Sequence, residues 1–364
     1  MMSTPVYNFG AGPAMLPIPV MEKIRDELLD YNGMGVSVIE ISHRSEEFEA
    51  ILARCDTLVR EIAHLPDNYR ILYTHGGARM LFSAIPMNLL PLKPAQMAVY
   101  SETGNFSRQA NVEARRYGDI RVASSGEANN YDRLPPFTRD MVPDEASYAY
   151  ITSNNTIYGT QYKEYPDMGD IPLVVDATSD MLSRPIDFTR VDLMFASLQK
   201  NLGPSGLAAV LIHEDLIGHA MPNTPSLLDF KVYNDSHSLS NTNNTFAIYV
   251  MCLVMEWLKD QGGVEAMAKI NEDKANLLYD LIDASDFYSG SAHIADRSLM
   301  NVIFNLPNEE LTAQFLKEAL ENGLYALKGH RAVGGIRASI YNAMPVAGCE
   351  TLAGFMREFE RTNG

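Results

Sequence analysis

Six short runs of consecutive apolar residues, at 71–74, 97–101, 148–152, 173–176, 193–197 and 207–212, constrain this chain more than any other feature. Strands with one face in water alternate apolar and polar residues, whereas strands covered on both faces read as continuous apolar runs. Helical spacing separates several of the runs, around 79–90 and 105–117. A longer stretch, 46–65, sets Phe48, Ile51, Leu52, Cys55, Leu58, Val59 and Ile62 on one helical face. Strands alternating with helices indicate an α/β domain with a mostly parallel sheet.

The texture changes after Trp257. An amphipathic helix in "DQGGVEAMAKINEDKANLLYDLIDAS", a strand in "LMNVIFNL" and helices in "NEELTAQFLKEALENG" and "GCETLAGFMREFERTNG" read as a smaller α+β domain beginning near Gln261. No internal repeat is visible. A polar segment, "NDSHSLSNTNNT" at 234–245, precedes an apolar helix; a polar loop of this length is either mobile or functional.

Charge narrows the classes of partner. Over 364 residues the formal net charge is −17 and the pI about 4.9, which argues against nucleic acid and anionic membrane surfaces. No basic-then-apolar leader opens the chain, and the longest apolar run, 246–255, ends at Glu256, too short for a bilayer. Cys55, Cys252 and Cys349 are too scattered for a disulfide framework or a metal motif. A cytoplasmic protein without a metal is the expectation.

Ligands of open α/β sheets bind beyond the carboxyl ends of the strands, so the polar residues there come next. The run 71–74 leads into "HGGAR", whose glycines permit a tight turn and whose following helix offers free N–H groups to an anion. The run 97–101 leads to Phe106, and 148–152 to "NNTIYGT". Asp176 closes 173–176, where it serves either a ligand or a helix cap. Lys200 stands between the last two runs, and is either a lysine in a Gly-Pro turn or an amine awaiting a partner. An anion cradle, an aromatic ring, a carboxylate and an amine at one edge are what pyridoxal 5'-phosphate needs. On that reading Lys200 forms the cofactor's Schiff base.

The chain also resembles the phosphoserine aminotransferases, class-V members of the aspartate-aminotransferase-like, fold type I pyridoxal-phosphate enzymes. The resemblance runs from "NFGAGPAMLP" through "EISHRSEEF", "HGGAR", "SRPIDFTR" and "QKNLGPSGL" to "ALKGHRAVGGIRASIYNAMP". It implies a large cofactor-binding domain over 16–260, a small C-terminal domain over 261–364, and an N-terminal segment, 1–15, associated with the small one. Lys200 and Asp176 match the family's catalytic pair. Ala78, Arg79, Phe106, Thr156 and Gln199 match its cofactor contacts. Asn241 and Thr242, in the polar loop, match residues that reach the cofactor phosphate of a neighbouring subunit, which implies a homodimer. His43, Arg44, His330, Arg331 and Arg337 match the substrate-anion residues, with Arg337 on the α-carboxylate.

Three positions depart from the family's pattern: alanine replaces glycine at Ala78, phenylalanine replaces tryptophan at Phe106, and alanine replaces serine at Ala11. An alanine still donates its N–H where φ is negative, and phenylalanine still stacks, over less area. The activity implied is amino transfer between L-glutamate and 3-phosphohydroxypyruvate, giving 2-oxoglutarate and O-phospho-L-serine, with phosphorylated hydroxythreonine of pyridoxine synthesis as a further substrate in some bacteria. The basic clusters "SHR" and "GHRAVGGIR", in a chain with 29 basic and 46 acidic residues, suit a substrate with two anionic ends. A relative using alanine or serine with glyoxylate would not need the second cluster. A non-enzymatic regulator would not need Lys200 and Asp176.

Overall fold

The computed structural model describes residues 6–364. Its central sheet has seven strands: β1 (Tyr69–His75), β2 (Met97–Glu102), β3 (Asp119–Ser125), β4 (Ala146–Thr152), β5 (Leu173–Asp176), β6 (Leu193–Ser197) and β7 (Leu207–His213). Their spatial order is β1-β7-β6-β5-β4-β2-β3, and β7 alone runs antiparallel, to both β1 and β6. The mostly parallel sheet expected from the apolar runs is present. The strand β3 had no run to announce it. It lies at the sheet edge, where exposed and buried residues alternate and Ile120 and Ser124 turn inward.

The continuous runs reflect burial of both sheet faces. Val99, Ile151, Val175 and Met194 join one core with helices α2 (Glu46–Ala63) and α6 (Thr245–Asp260). Their neighbours Tyr100, Tyr150, Val174 and Phe195 join another with α3 (Ala78–Leu89) and α4 (Asn105–Ala114). Fully burying each large apolar side chain is worth roughly 1.5–3 kcal/mol, so strands buried on both faces hold the sheet firmly under the polar residues at their ends. Helix α2 starts where the Ser45 hydroxyl accepts from the Phe48 N–H at 3.3 Å, and stops at His64, whose φ of 50° is left-handed.

A second, three-stranded antiparallel sheet contains β8 (Ser289–Gly290), β9 (Asn301–Asn305) and β10 (Ile336–Ser339). With α8 (Glu309–Glu321) and α9 (Val346–Asn363) it encloses an aromatic cluster in which Phe315 meets Phe304, Phe355 and Phe359 edge-on. The strand Tyr7–Asn8 pairs with Leu324–Tyr325, and Phe9 enters this second core. Residues 1–5 of the expected N-terminal segment lie outside the described residues. The change of core falls inside α7 (Gly263–Ala284). Val264 and Met267 pack with the large sheet, whereas Ala275, Leu278 and Ile282 pack with the small one. A 22-residue helix is about 33 Å long, enough to span both layers. Among the described residues no helix is long and apolar enough to cross a membrane.

Candidate active site

The carboxyl ends of β1, β4, β5 and β6 converge on one cavity of about 330 Å³. Seven of the residues expected around the cofactor line it: Ala78, Arg79, Phe106, Thr156, Asp176, Gln199 and Lys200. A wider groove of about 610 Å³ lies between α7 and α9, but Arg357 is its one basic residue and it holds no lysine or histidine. The converging chemistry sits in the smaller cavity.

Lys200 follows β6 at the start of the loop to β7 and is buried. Its Nζ donates to Thr156 Oγ1 at 2.6 Å and stands 5.7 Å from the centre of the Phe106 ring. Burial pushes the amine down to about 8; Asp176 and Asp180 oppose the shift and Arg337 adds to it. Asp176 is buried too, and burial pushes its carboxyl up, against the Thr178 N–H at 3.0 Å and the charge of Lys200. No helix follows Asp176, so it is not the helix cap foreseen as an alternative; its bond to Thr178 closes a turn while the same side chain faces the cavity.

At the other end of the cavity, Gly76 (φ 81°) and Gly77 (φ 73°) turn the chain from β1 into α3. A Cβ on Gly77 would stand 2.4 Å from Ser197 Oγ, so only glycine fits. Ala78 begins α3 with an unstrained backbone, as an alanine there requires. Its N–H donates to Ser197 Oγ at 2.9 Å, which sets the Ser197 hydroxyl at the N-terminus of α3.

Sequence reasoning did not single out Thr152, Asn154, Ser179 or Ser197, all of which line the cavity. The signal was available for two: Thr152 and Ser197 are the last residues of β4 and β6, the positions that open-sheet topology marks. Thr152 Oγ1 is buried without a hydrogen-bond partner. An unpaired buried hydroxyl costs roughly 1–3 kcal/mol, so a polar ligand atom in the cavity would relieve it. Together with an aromatic face, a buried carboxylate, a buried amine and a helix N-terminus, this fits pyridoxal phosphate.

The expected substrate residues lie outside the cavity lining. Arg337, on β10, is close enough to depress Lys200, and His330 is held below the usual histidine range by burial, then by Arg337 and Arg331. Arg337 thus feels both Lys200 and His330, and Arg331 feels His330. Neither Arg331 nor Arg337 has a carboxylate partner among the described residues, nor has Arg79. His43 and Arg44 pair with each other, Arg44 Nε donating to His43 Nε2 at 3.2 Å. Asn241 hydrogen-bonds its own chain's His75 at 3.2–3.3 Å, and Thr242 is exposed. Within one chain, these four residues are not brought to the cavity.

The aminotransferase class-V family profile matches residues 6–352. The phosphoserine aminotransferase of Laribacter hongkongensis is 48% identical over 360 residues, 99% of each chain. The chain belongs to the phosphoserine aminotransferases of the class-V family. Two solved structures agree with that membership. Phosphoserine aminotransferase from Bacillus circulans subsp. alkalophilus superposes with a TM-score of 0.96 at 42% identity, covering 100% of both chains. A PLP-bound phosphoserine aminotransferase from Trichomonas vaginalis gives 0.89 at 32%, covering 97% of this chain and 99% of the other.

Proposed function

We propose that the cavity binds pyridoxal 5'-phosphate and transfers the amino group between L-glutamate and 3-phosphohydroxypyruvate, forming 2-oxoglutarate and O-phospho-L-serine. One observation carries this reading: a buried amine, Lys200, shares one cavity with a buried carboxylate, Asp176, and feels the charge of Arg337, which has no carboxylate partner among the described residues. Bound pyridoxal phosphate supplies an electron sink for the negative charge left at the substrate Cα. Every other part belongs to the chain. Lys200 Nζ anchors the cofactor and, once released, takes up and returns the Cα proton, with Thr156 orienting the amine. Asp176 would keep a proton on the ring nitrogen, Phe106 and Gln199 would contact the ring, and Ala78, Arg79 and Ser197 would hold the phosphate. Arg337 binds the α-carboxylate. His330 and Arg331, with His43 and Arg44, receive the distal carboxylate or phosphate.

We infer further that the active unit is a homodimer. Asn241, Thr242, His43 and Arg44 all lie off the cavity of their own chain; Thr242 and Arg44 are exposed, Asn241 is half-buried, and the buried His43 is bonded by Arg44. Ile18, Met21, Leu29, Met34, Val36 and Ile39 are all exposed apolar side chains in the segment just before His43, the composition of a covered face. Phosphorylated hydroxythreonine presents the same two anions as phosphoserine and suits the same pocket. We place the chain in the cytoplasm, in serine synthesis, with domains over 16–260 and 261–364 and residues 6–15 on the small domain.

The deciding experiment follows each half-reaction on the purified, cofactor-loaded protein. Glutamate and phosphoserine should each convert the cofactor to its amino form, while alanine and serine leave it almost unchanged. Conversion by alanine or serine at the glutamate rate would overturn the substrate assignment.

A further inference from the structure

Arg337 and Lys200 stand on different sheets, β10 of the small domain and the β6–β7 loop of the large one. Something must fix their separation, because both would meet one substrate molecule. The chain returning from β10 holds the answer. Asn342 lies three residues past the strand and is buried at 4% exposure. Its N–H donates to Asn201 Oδ1 at 3.1 Å, on the residue next to Lys200. Its amide nitrogen donates to the Leu182 carbonyl at 2.9 Å, and its amide oxygen accepts from Asn271 Nδ2, also at 2.9 Å. Asn271 in turn reaches the Ser183 carbonyl at 3.0 Å.

Both flanks of Asn342 are pinned as well. The Lys274 ammonium, fully buried in α7, donates to the carbonyls of Ile340, Tyr341 and Met344 at 2.8–3.0 Å. Tyr341 donates to the Ala11 carbonyl at 2.9 Å and accepts from Asn301. Leu182, whose carbonyl Asn342 receives, sits at φ 55° while almost fully buried. A bulky residue in the left-handed region is strained, and such strain persists only where the surroundings over-determine it. No exchange of these groups with water balances the cost of breaking them, since every member is buried.

The geometry points to Asn342 as a positioning residue of the amino-transfer site: its hydrogen bonds to Asn201, Leu182 and Asn271 set the distance between Arg337 and Lys200. This rests on the reading that Arg337 and Lys200 serve one substrate. Asn342 touches neither substrate nor cofactor and acts through the strand that carries Arg337. A displacement of about 1 Å at a reacting centre is worth on the order of 10² in rate.

A double-mutant cycle tests it, using the cofactor-loaded protein, Asn342→Ala, Arg337→Lys and the double variant. Asn342→Ala should lower kcat/KM for glutamate about 10²-fold and weaken maleate, a dicarboxylate titrated by the cofactor's absorbance. Its reaction with hydroxylamine, which has no carboxylate, should keep the unmodified rate. In the Arg337→Lys background the same substitution should add little further loss, because the contact it positions is already broken. Equal fold-losses in both backgrounds, or an equal loss with hydroxylamine, would overturn the inference while leaving the amino-transfer reading intact. An unmodified protein inert to glutamate would overturn both. Should Asn342→Ala fail to fold, Asn271→Ala removes one of the three bonds and passes through the same cycle with the same criteria.

Discussion

Lys200 Nζ donates to Thr156 Oγ1 at 2.6 Å, and this is the one hydrogen bond the buried amine makes among the described residues. An ammonium has three donors, so its charged form is poorly served at this position. The neutral amine, which the chemistry needs as nucleophile and base, is favoured correspondingly.

That imbalance has a sign that can be measured in the cofactor-free chain. The Lys200 amine falls from 10.5 to about 8 on folding. Between those two values the unfolded chain holds a proton that the folded chain has released. The group's contribution to stability therefore rises with pH across that window, and its penalty is greatest below about 8. Lys200→Met should melt higher than the unmodified chain at pH 7, with the advantage shrinking as pH climbs toward 10.5. A difference in melting temperature that stays constant from pH 7 to 10 would contradict the depressed amine.

Asp176→Asn separates the carboxylate's two duties. The amide oxygen can still accept from the Thr178 N–H, so the bond at 3.0 Å survives and folding should be nearly unchanged. A neutral amide does not hold a proton on the ring nitrogen, and turnover should fall on the order of 10²-fold or more, the scale of losing one group aimed at developing charge. Melting curves and half-reaction rates on the same sample decide. Normal turnover would leave Asp176 with only the turn-closing bond to Thr178.

The sheet was legible because burial on both faces writes itself as unbroken apolar runs, from Leu72 beside β7 to Val175 at the centre. Edge strand β3 was not, since one of its sides meets water and its pattern resembles a loop. The cavity was legible where a special residue ends a strand, as with Asp176 and Lys200. Ser197 and Thr152 were passed over because a serine or threonine after an apolar run is common and its meaning depends on what lies across the cavity. The Asn342 junction left no trace at all. Its partners, Asn201, Leu182 and Asn271, are distant in sequence, and only the packing of α7 across both cores brings them together.

For the proposed dimer, the test lies in the polar loop. Asn243 is fixed to its own chain through the Ser238 and Tyr73 carbonyls, at 2.8 and 3.3 Å, while Thr242 projects outward. Replacing Asn241 and Thr242 together by alanine should therefore leave the fold intact and weaken cofactor retention several-fold, with Lys200 still able to bind the aldehyde. Sedimentation of the unmodified protein should give a dimer. A fully active monomer would reject the shared site.

The sharpest expectation concerns phosphoserine against serine. Arg331 and Arg337 have no carboxylate partners among the described residues, and His330 is pushed toward its neutral form by burial and by both arginines. Such a pocket is short of negative charge in a chain that otherwise carries an excess of it. Serine would satisfy Arg337 through its α-carboxylate and leave the rest of the cluster unmet. Each charge-assisted hydrogen bond is worth roughly 1.5–3 kcal/mol, so two or three lost contacts amount to on the order of 10³-fold in kcat/KM. Glutamate should retain activity, because its side-chain carboxylate is able to reach the same cations. Arg331→Gln should consequently impair phosphoserine and glutamate together while changing serine little, whereas Arg337→Gln should impair all three. Comparable kcat/KM for serine and phosphoserine in the unmodified protein would remove the phosphate from this pocket, and Lys200 would keep its role.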